Sequence, residues 1–127
     1  MTYRFHHIHL ICKDLEGMIN FFTDALGATL VARKKFGTAD GASLDLQGTT
    51  VNLRVNREDE VMAGDASQTR FGYDHLGLLV EDVDAAYEDL KKRGFNFFMA
   101  PKDIPDLRIA FFRGPEEITI ELIQKLG

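Results

Sequence analysis

Cysteine is nearly absent: Cys12 stands alone. No disulfide can close within the chain, which disfavours a secreted, disulfide-stapled scaffold, and a reducing cytoplasmic setting is expected. Positive charge is also short. Fifteen Lys and Arg face 20 Asp and Glu, for a net charge of -5, and an acidic chain repels phosphate backbones, so nucleic acid is not expected as a partner. The two basic runs, Arg33-Lys34-Lys35 and Lys91-Lys92-Arg93, are short enough to be solvated helix or strand ends. No apolar run approaches the length of a membrane span. Residues 1–7 lack the apolar stretch of a signal peptide, so no membrane role is expected.

What is present is enough for one domain, or for two very small units sharing a core: 127 residues, 45% of them hydrophobic. The chain repeats itself. With His7 aligned on His75, Ile8 falls on Leu76, Leu10 on Leu78, Cys12 on Val80, Asp14 on Asp82, Leu15 on Val83 and Phe22 on Leu90. Each copy opens with an alternating strand. Ile8, Leu10 and Cys12 share one face, with Phe5, His7, His9 and Ile11 on the other; Leu76, Leu78 and Val80 oppose His75, Gly77 and Leu79.

Asp14 and Asp82 are predicted N-caps of helices. Leu15, Met18, Ile19, Phe22 and Leu26, and then Val83, Ala86, Tyr87 and Leu90, form the apolar stripes. Gly27 and Gly94 are predicted stops. Further strands are predicted over 29–35, 42–46 and 50–55 in the first copy, and over 95–99, 108–112 and 118–123 in the second. The chain therefore reads as a single α+β domain, 1–127, made of two βαβββ modules, about 1–56 and 73–127, joined by a polar linker at about 57–72.

The strand period also decides which side chains share the face opposite each helix. Ile118, Ile120 and Leu122 form one face of the last strand, while Thr119, Glu121 and Ile123 form the other, so Glu121 is expected to point where His75 points. A carboxylate among apolar neighbours needs a partner, and a metal would supply one. Asn52, a candidate substrate-binding residue, stands at the position matching Glu121 in the first copy, with Thr50 and Arg54 on its face. His9 follows His7 on the same face and suits either acid–base work or a packed histidine. Arg54 and Arg108 are candidate anchors for a substrate carboxylate or phosphate, each against the alternative of a salt-bridged surface arginine. Tyr73, two residues before His75, is a candidate hydrogen-bond donor to substrate. Cys12 falls on the helix side and reads as a small core residue.

These residues resemble those of the vicinal oxygen chelate superfamily, which includes glyoxalase I, fosfomycin-resistance thiol transferases, extradiol dioxygenases and bleomycin-binding proteins. The resemblance is carried by His7-Ile8-His9-Leu10-Ile11-Cys12-Lys13-Asp14-Leu15, by His75-Leu76-Gly77-Leu78-Leu79-Val80-Glu81-Asp82-Val83 and by Ile120-Glu121-Leu122, and it covers nearly the whole chain. It implies two modules forming a U-shaped, incompletely closed barrel-like sheet around a cleft.

His7, His75 and Glu121 match three metal-ligand positions, for one divalent ion (Fe, Zn, Ni or Mn). The fourth position, often Glu in glyoxalase-like members, is Asn52. An amide offers its carbonyl oxygen but cannot take a proton, which counts against a two-glutamate isomerase mechanism. The activity implied is a metal-dependent, glyoxalase-like lyase or isomerase that chelates adjacent oxygens of a small substrate, with Glu121 or His9 moving the proton. A second implied activity is an Fe(II) extradiol-type dioxygenase using two His and one carboxylate. A third is a metal-free binding or resistance protein. That one is disfavoured because such binders rely on an aromatic cleft and the chain has no Trp. A small-molecule substrate and a homodimer are the expected partners.

Overall fold

A computed structural model describes residues 1–61 and 71–127. The chain divides into two compact units, Met1–Val61 and Met62–Gly127. The centre of the expected linker, 62–70, lies outside the described residues.

The first unit runs β1 (His7–Cys12), α1 (Leu15–Asn20), β2 (Thr29–Phe36), β3 (Ala39–Leu46) and β4 (Thr49–Val55). The second runs β5 (Leu76–Leu79), α2 (Val83–Lys92), β6 (Asn96–Ile104), β7 (Leu107–Arg113) and β8 (Thr119–Lys125). Each unit is thus one βαβββ module of an α+β fold. Each carries one open four-stranded sheet, in the orders β1-β4-β3-β2 and β5-β8-β7-β6. The first and last strands of a module pair in parallel and the other pairs are antiparallel.

The local chemistry of the helices follows the sequence. Asp14 Oδ1 accepts the Gly17 amide at 3.0 Å and Asp82 Oδ1 the Ala85 amide at 3.1 Å, which satisfies N-terminal donors that have no partner inside the helix. Gly27 and Gly94 end the helical segments at φ 77° and 98°, a region that costs glycine little. Beyond the expected helix, α1 runs on as a π-helical turn, Phe21–Ala25. Thr23 Oγ1 bonds the Ile19 carbonyl at 2.9 Å there, a side-chain competitor for a helical acceptor.

In each unit the apolar sheet face packs on the helix. Met18, Ile19 and Phe22 meet a floor of Cys12, Ala42, Leu44, Val51 and Leu53, all buried. In the second unit Val83 and Leu90 cover Ala110, Phe112, Ile120 and Leu122. Burying each large side chain contributes about 1.5–3 kcal/mol. Cys12 is 2% exposed, a core residue as its alternation required.

Several boundaries differ from the expectation. β1 starts at His7, and His75 precedes β5 instead of opening it. β3 begins at Ala39, ahead of the expected start at residue 42. β6 continues through Pro101 to Ile104. It lies at a sheet edge and its register shifts twice, and an edge strand tolerates a missing backbone donor.

Candidate metal centre

The helix-free face of the second sheet gathers the chemistry-bearing groups of that unit. The parallel register sets Gly77 beside Glu121, and His75, just ahead of the strand, reaches back to it. His75 Nε2 lies 3.0 Å from Glu121 Oε1. On its other side His75 Nδ1 lies 2.8 Å from Asp74 Oδ2. A Cβ at Gly77 would stand 3.2 Å from Ile123 Cδ1 and 3.7 Å, an ordinary contact, from Glu121 Oε1. Asp74 first, with Glu121 behind it, raises the His75 pKa against the opposing effect of burial.

Phe111 pairs with Glu121 across β7 and β8. Its ring stands edge-on to His75 at 5.1 Å and beside Phe98 at 5.6 Å. The Arg113 guanidinium lies over Phe98 at 4.1 Å and donates to Thr119 Oγ1 at 2.5 Å. Phe98, Phe111 and Arg113 were not among the sequence candidates.

Arg108 was a candidate, but it belongs to the other face. It pairs with Gln124 on the helix side of β8. Its guanidinium is held by Asp84 at 2.9 and 3.0 Å and by Asp103 at 2.9 Å, and these carboxylates raise its pKa further. Tyr73 lies before β5 and is 55% exposed. Burial, and then the Asp74 charge, raise its pKa.

In the first unit His7 and His9 lie on the corresponding face, in register with Thr50 and Asn52. His7 Nδ1 lies 2.8 Å from His6 Nδ1, so His6 turns to its neighbour. The His9 ring meets Phe36 edge-on at 4.5 Å. Burial, then Arg54, His7, Arg57 and Lys34, lower the His9 pKa, which favours the uncharged ring. Asn52 is 8% exposed, and its carbonyl accepts the Ser43 hydroxyl at 2.7 Å.

Arg54 shares this face, but Glu60 grips its guanidinium fork at 2.8 and 2.6 Å. The Arg54 hydrogen bonds, with one from the Arg57 amide, hold the Glu60 carboxyl down at about 2.

The donor set of the second unit fits a divalent ion. Two donors about 2.1 Å from an ion and at right angles to each other stand about 3.0 Å apart, the separation of His75 Nε2 and Glu121 Oε1. The same separation suits a shared proton, which an ion would displace. Among the described residues no three His, Cys, Asp or Glu side chains are gathered into a metal-holding group. The structure therefore brings together two of the three expected ligands, and His7 belongs to the other unit.

The family description Glyoxalase/Bleomycin resistance protein/Dioxygenase superfamily matches residues 4–122. The chain belongs to this superfamily. Among curated relatives it is 28% identical to the uncharacterized protein YraH of Bacillus subtilis, covering 94% of this chain and 96% of that one. It is 21% identical to the lactoylglutathione lyase of Schizosaccharomyces pombe, covering 98% of this chain but only 48% of that enzyme.

Among solved structures, a glyoxylase/bleomycin resistance protein/dioxygenase domain from Frankia superposes with a TM-score of 0.83 at 25% identity, over 99% of this chain and 94% of that one. The fosfomycin resistance protein FosX of Listeria monocytogenes, in complex with Mn(II) and sulfate, gives 0.73 at 21% identity over 99% and 95%, a likeness of fold alone. Enzymes thus occur in this superfamily. No helix among the described residues is long and apolar enough to cross a membrane.

Proposed function

We propose that this superfamily member is a divalent-metal-dependent enzyme of glyoxalase type, a lyase or isomerase acting on a small substrate with two adjacent oxygens. The observation that carries the reading is the pairing of His75 Nε2 with Glu121 Oε1 at 3.0 Å on the helix-free sheet face. His75, Glu121 and His7 are the residues that would hold the ion. When bound, such an ion supplies Lewis-acid stabilisation of charge developing on substrate oxygen.

The chain's own residues define the proton chemistry. Glu121 has a second carboxylate oxygen with which to take a proton from carbon. Burial and the cations around His9 favour its uncharged ring, the form a general base needs, and Phe36 packs edge-on against it. Asn52 cannot serve as a base, and its carbonyl is committed to Ser43. Phe98 and Phe111 give the Glu121 face an apolar wall, with Tyr73 before β5 as a polar donor. Arg108 drops out of the substrate-binding set.

The ligand set of two His and one carboxylate also suits Fe(II) oxygen chemistry, and one experiment separates the readings. Protein reconstituted anaerobically with Fe(II), Mn(II), Ni(II) or Zn(II) is assayed on a 2-oxoaldehyde thiol hemithioacetal and, separately, for oxygen uptake with a catechol. Hemithioacetal turnover lost in Glu121→Gln supports the proposal, whereas oxygen uptake with Fe(II) alone replaces it with the dioxygenase reading. A homodimer is part of the proposal and is read by light scattering.

A further inference from the structure

The residue before each proposed ligand histidine touches its Nδ1 nitrogen. In the second unit Asp74 Oδ2 lies 2.8 Å from His75 Nδ1. In the first, His6 Nδ1 lies 2.8 Å from His7 Nδ1, and His6 is the position matching Asp74 in the repeat. Adjacent side chains on a regular strand point to opposite faces, so this contact requires a break in the strand pattern. The second unit supplies one, because residues 73–75 precede β5 and are not part of it. Two units with different residue types at this position thus arrive at the same contact.

We propose that Asp74 is a positioning residue for metal capture, with His6 as its counterpart in the first unit. The carboxylate accepts the Nδ1–H of His75, which keeps the remaining ring proton on Nδ1. The Nε2 lone pair is then directed at the place Glu121 Oε1 already faces. An anionic acceptor at Nδ1 also makes Nε2 a stronger donor to a cation. Asp74 is 69% exposed while Glu121 is 15% exposed. Its carboxylate therefore acts from the solvent side, through the ring, on a nitrogen that points inward. His6 meets His7 through a ring nitrogen, where Asp74 meets His75 through a carboxylate, so the stronger orienting effect falls to Asp74. This inference rests on the metal reading above, and its test separates the two.

Zn(II) affinity is measured by competition with a chromophoric chelator for the wild type, Asp74→Ala, Asp74→Asn and a charge-matched control, Glu81→Gln. Loss of the partner of a ligand histidine costs about 10- to 100-fold in affinity, which is the expected drop for Asp74→Ala. Asp74→Asn keeps an acceptor oxygen without the charge and falls between Asp74→Ala and the wild type. Glu81→Gln stays within about twofold of the wild type, because an exposed charge making no contact with the ring contributes little.

In the metal-free protein the hydrogen-bonded His75 Nδ1–H resonance is present in the wild type and lost in Asp74→Ala, while the thermal midpoint is unchanged. Equal affinity of Asp74→Ala and wild type overturns the role of Asp74 and leaves the metal centre standing. A wild type that takes up no metal sinks the metal reading and this inference together.

Discussion

Gly41 on β3 has no room for a side chain. A Cβ there would press on the backbone carbonyl oxygen of Leu53 and stand 2.6 and 2.7 Å from two carbons of the Phe36 ring. A ring can turn away, but a ladder carbonyl cannot move without disturbing the β3–β4 pairing in which Gly41 faces Arg54. Gly41→Ala is therefore expected to destabilise. Overpacking costs about 1–3 kcal/mol, offset by about 0.4–1 kcal/mol from the smaller freedom of alanine in the unfolded chain. Taking the middle of each range, about 2 and about 0.7 kcal/mol, the net loss is about 1.3 kcal/mol.

With an unfolding entropy of about 2.1 cal/mol/K per residue over 127 residues, that loss lowers the melting temperature by about 5 °C. Calorimetry on the variant and wild type reads it. Adding Phe36→Leu recovers only the part due to the ring, because the carbonyl contact remains. A melting temperature equal to or above that of the wild type would refute the reasoning. So would full recovery in the double variant.

Two other perturbations test the rest of the fold. Glu117 sits at φ 64°, next to Glu116 at φ 55°, in the loop that delivers β8 and Glu121. Glu117→Gly should be neutral or stabilising by up to about 1 kcal/mol, and Glu117→Val destabilising by about 1–2 kcal/mol, in urea melts; equal stabilities would contradict the backbone argument.

Glu60 is held at about 2, against an ordinary value of 4.5. A depressed carboxyl stabilises above its unfolded value, and the benefit disappears as pH falls through the folded one. The advantage of wild type over Glu60→Gln should therefore be full above pH 4.5 and vanish towards pH 2. Urea melts across that window check it, and an advantage that persists at pH 2 would rule it out.

The order of elements was legible in the sequence because it rests on short-range chemistry. Alternation in β1 and β8, the Asp14 and Asp82 caps and the stops at Gly27 and Gly94 are each decided within a few residues. What escaped depends on register. β7 carries apolar residues on both faces, with Ile109 and Phe111 on one and Ala110 and Phe112 on the other, so its pattern does not say which way Arg108 points. Only its pairing with β8 shows Arg108 on the helix side and Arg113 beside Phe98. The Glu60 grip on Arg54 was hidden for a similar reason, since it depends on how the chain turns after β4. Asp74 escaped because neighbours in a strand are assumed to diverge, and the contact exists only because His75 stands ahead of β5.

The proposed ligands of a divalent metal are His75 and Glu121, with His7. The most direct test is metal content by mass spectrometry on protein purified anaerobically without chelators, for the wild type, His75→Ala, Glu121→Gln and His7→Ala. About one equivalent per site is expected in the wild type and loss in each variant, with folding unchanged by circular dichroism. A wild type that stays metal-free after reconstitution with Fe(II), Mn(II), Ni(II) and Zn(II), or variants that keep the metal, would contradict it.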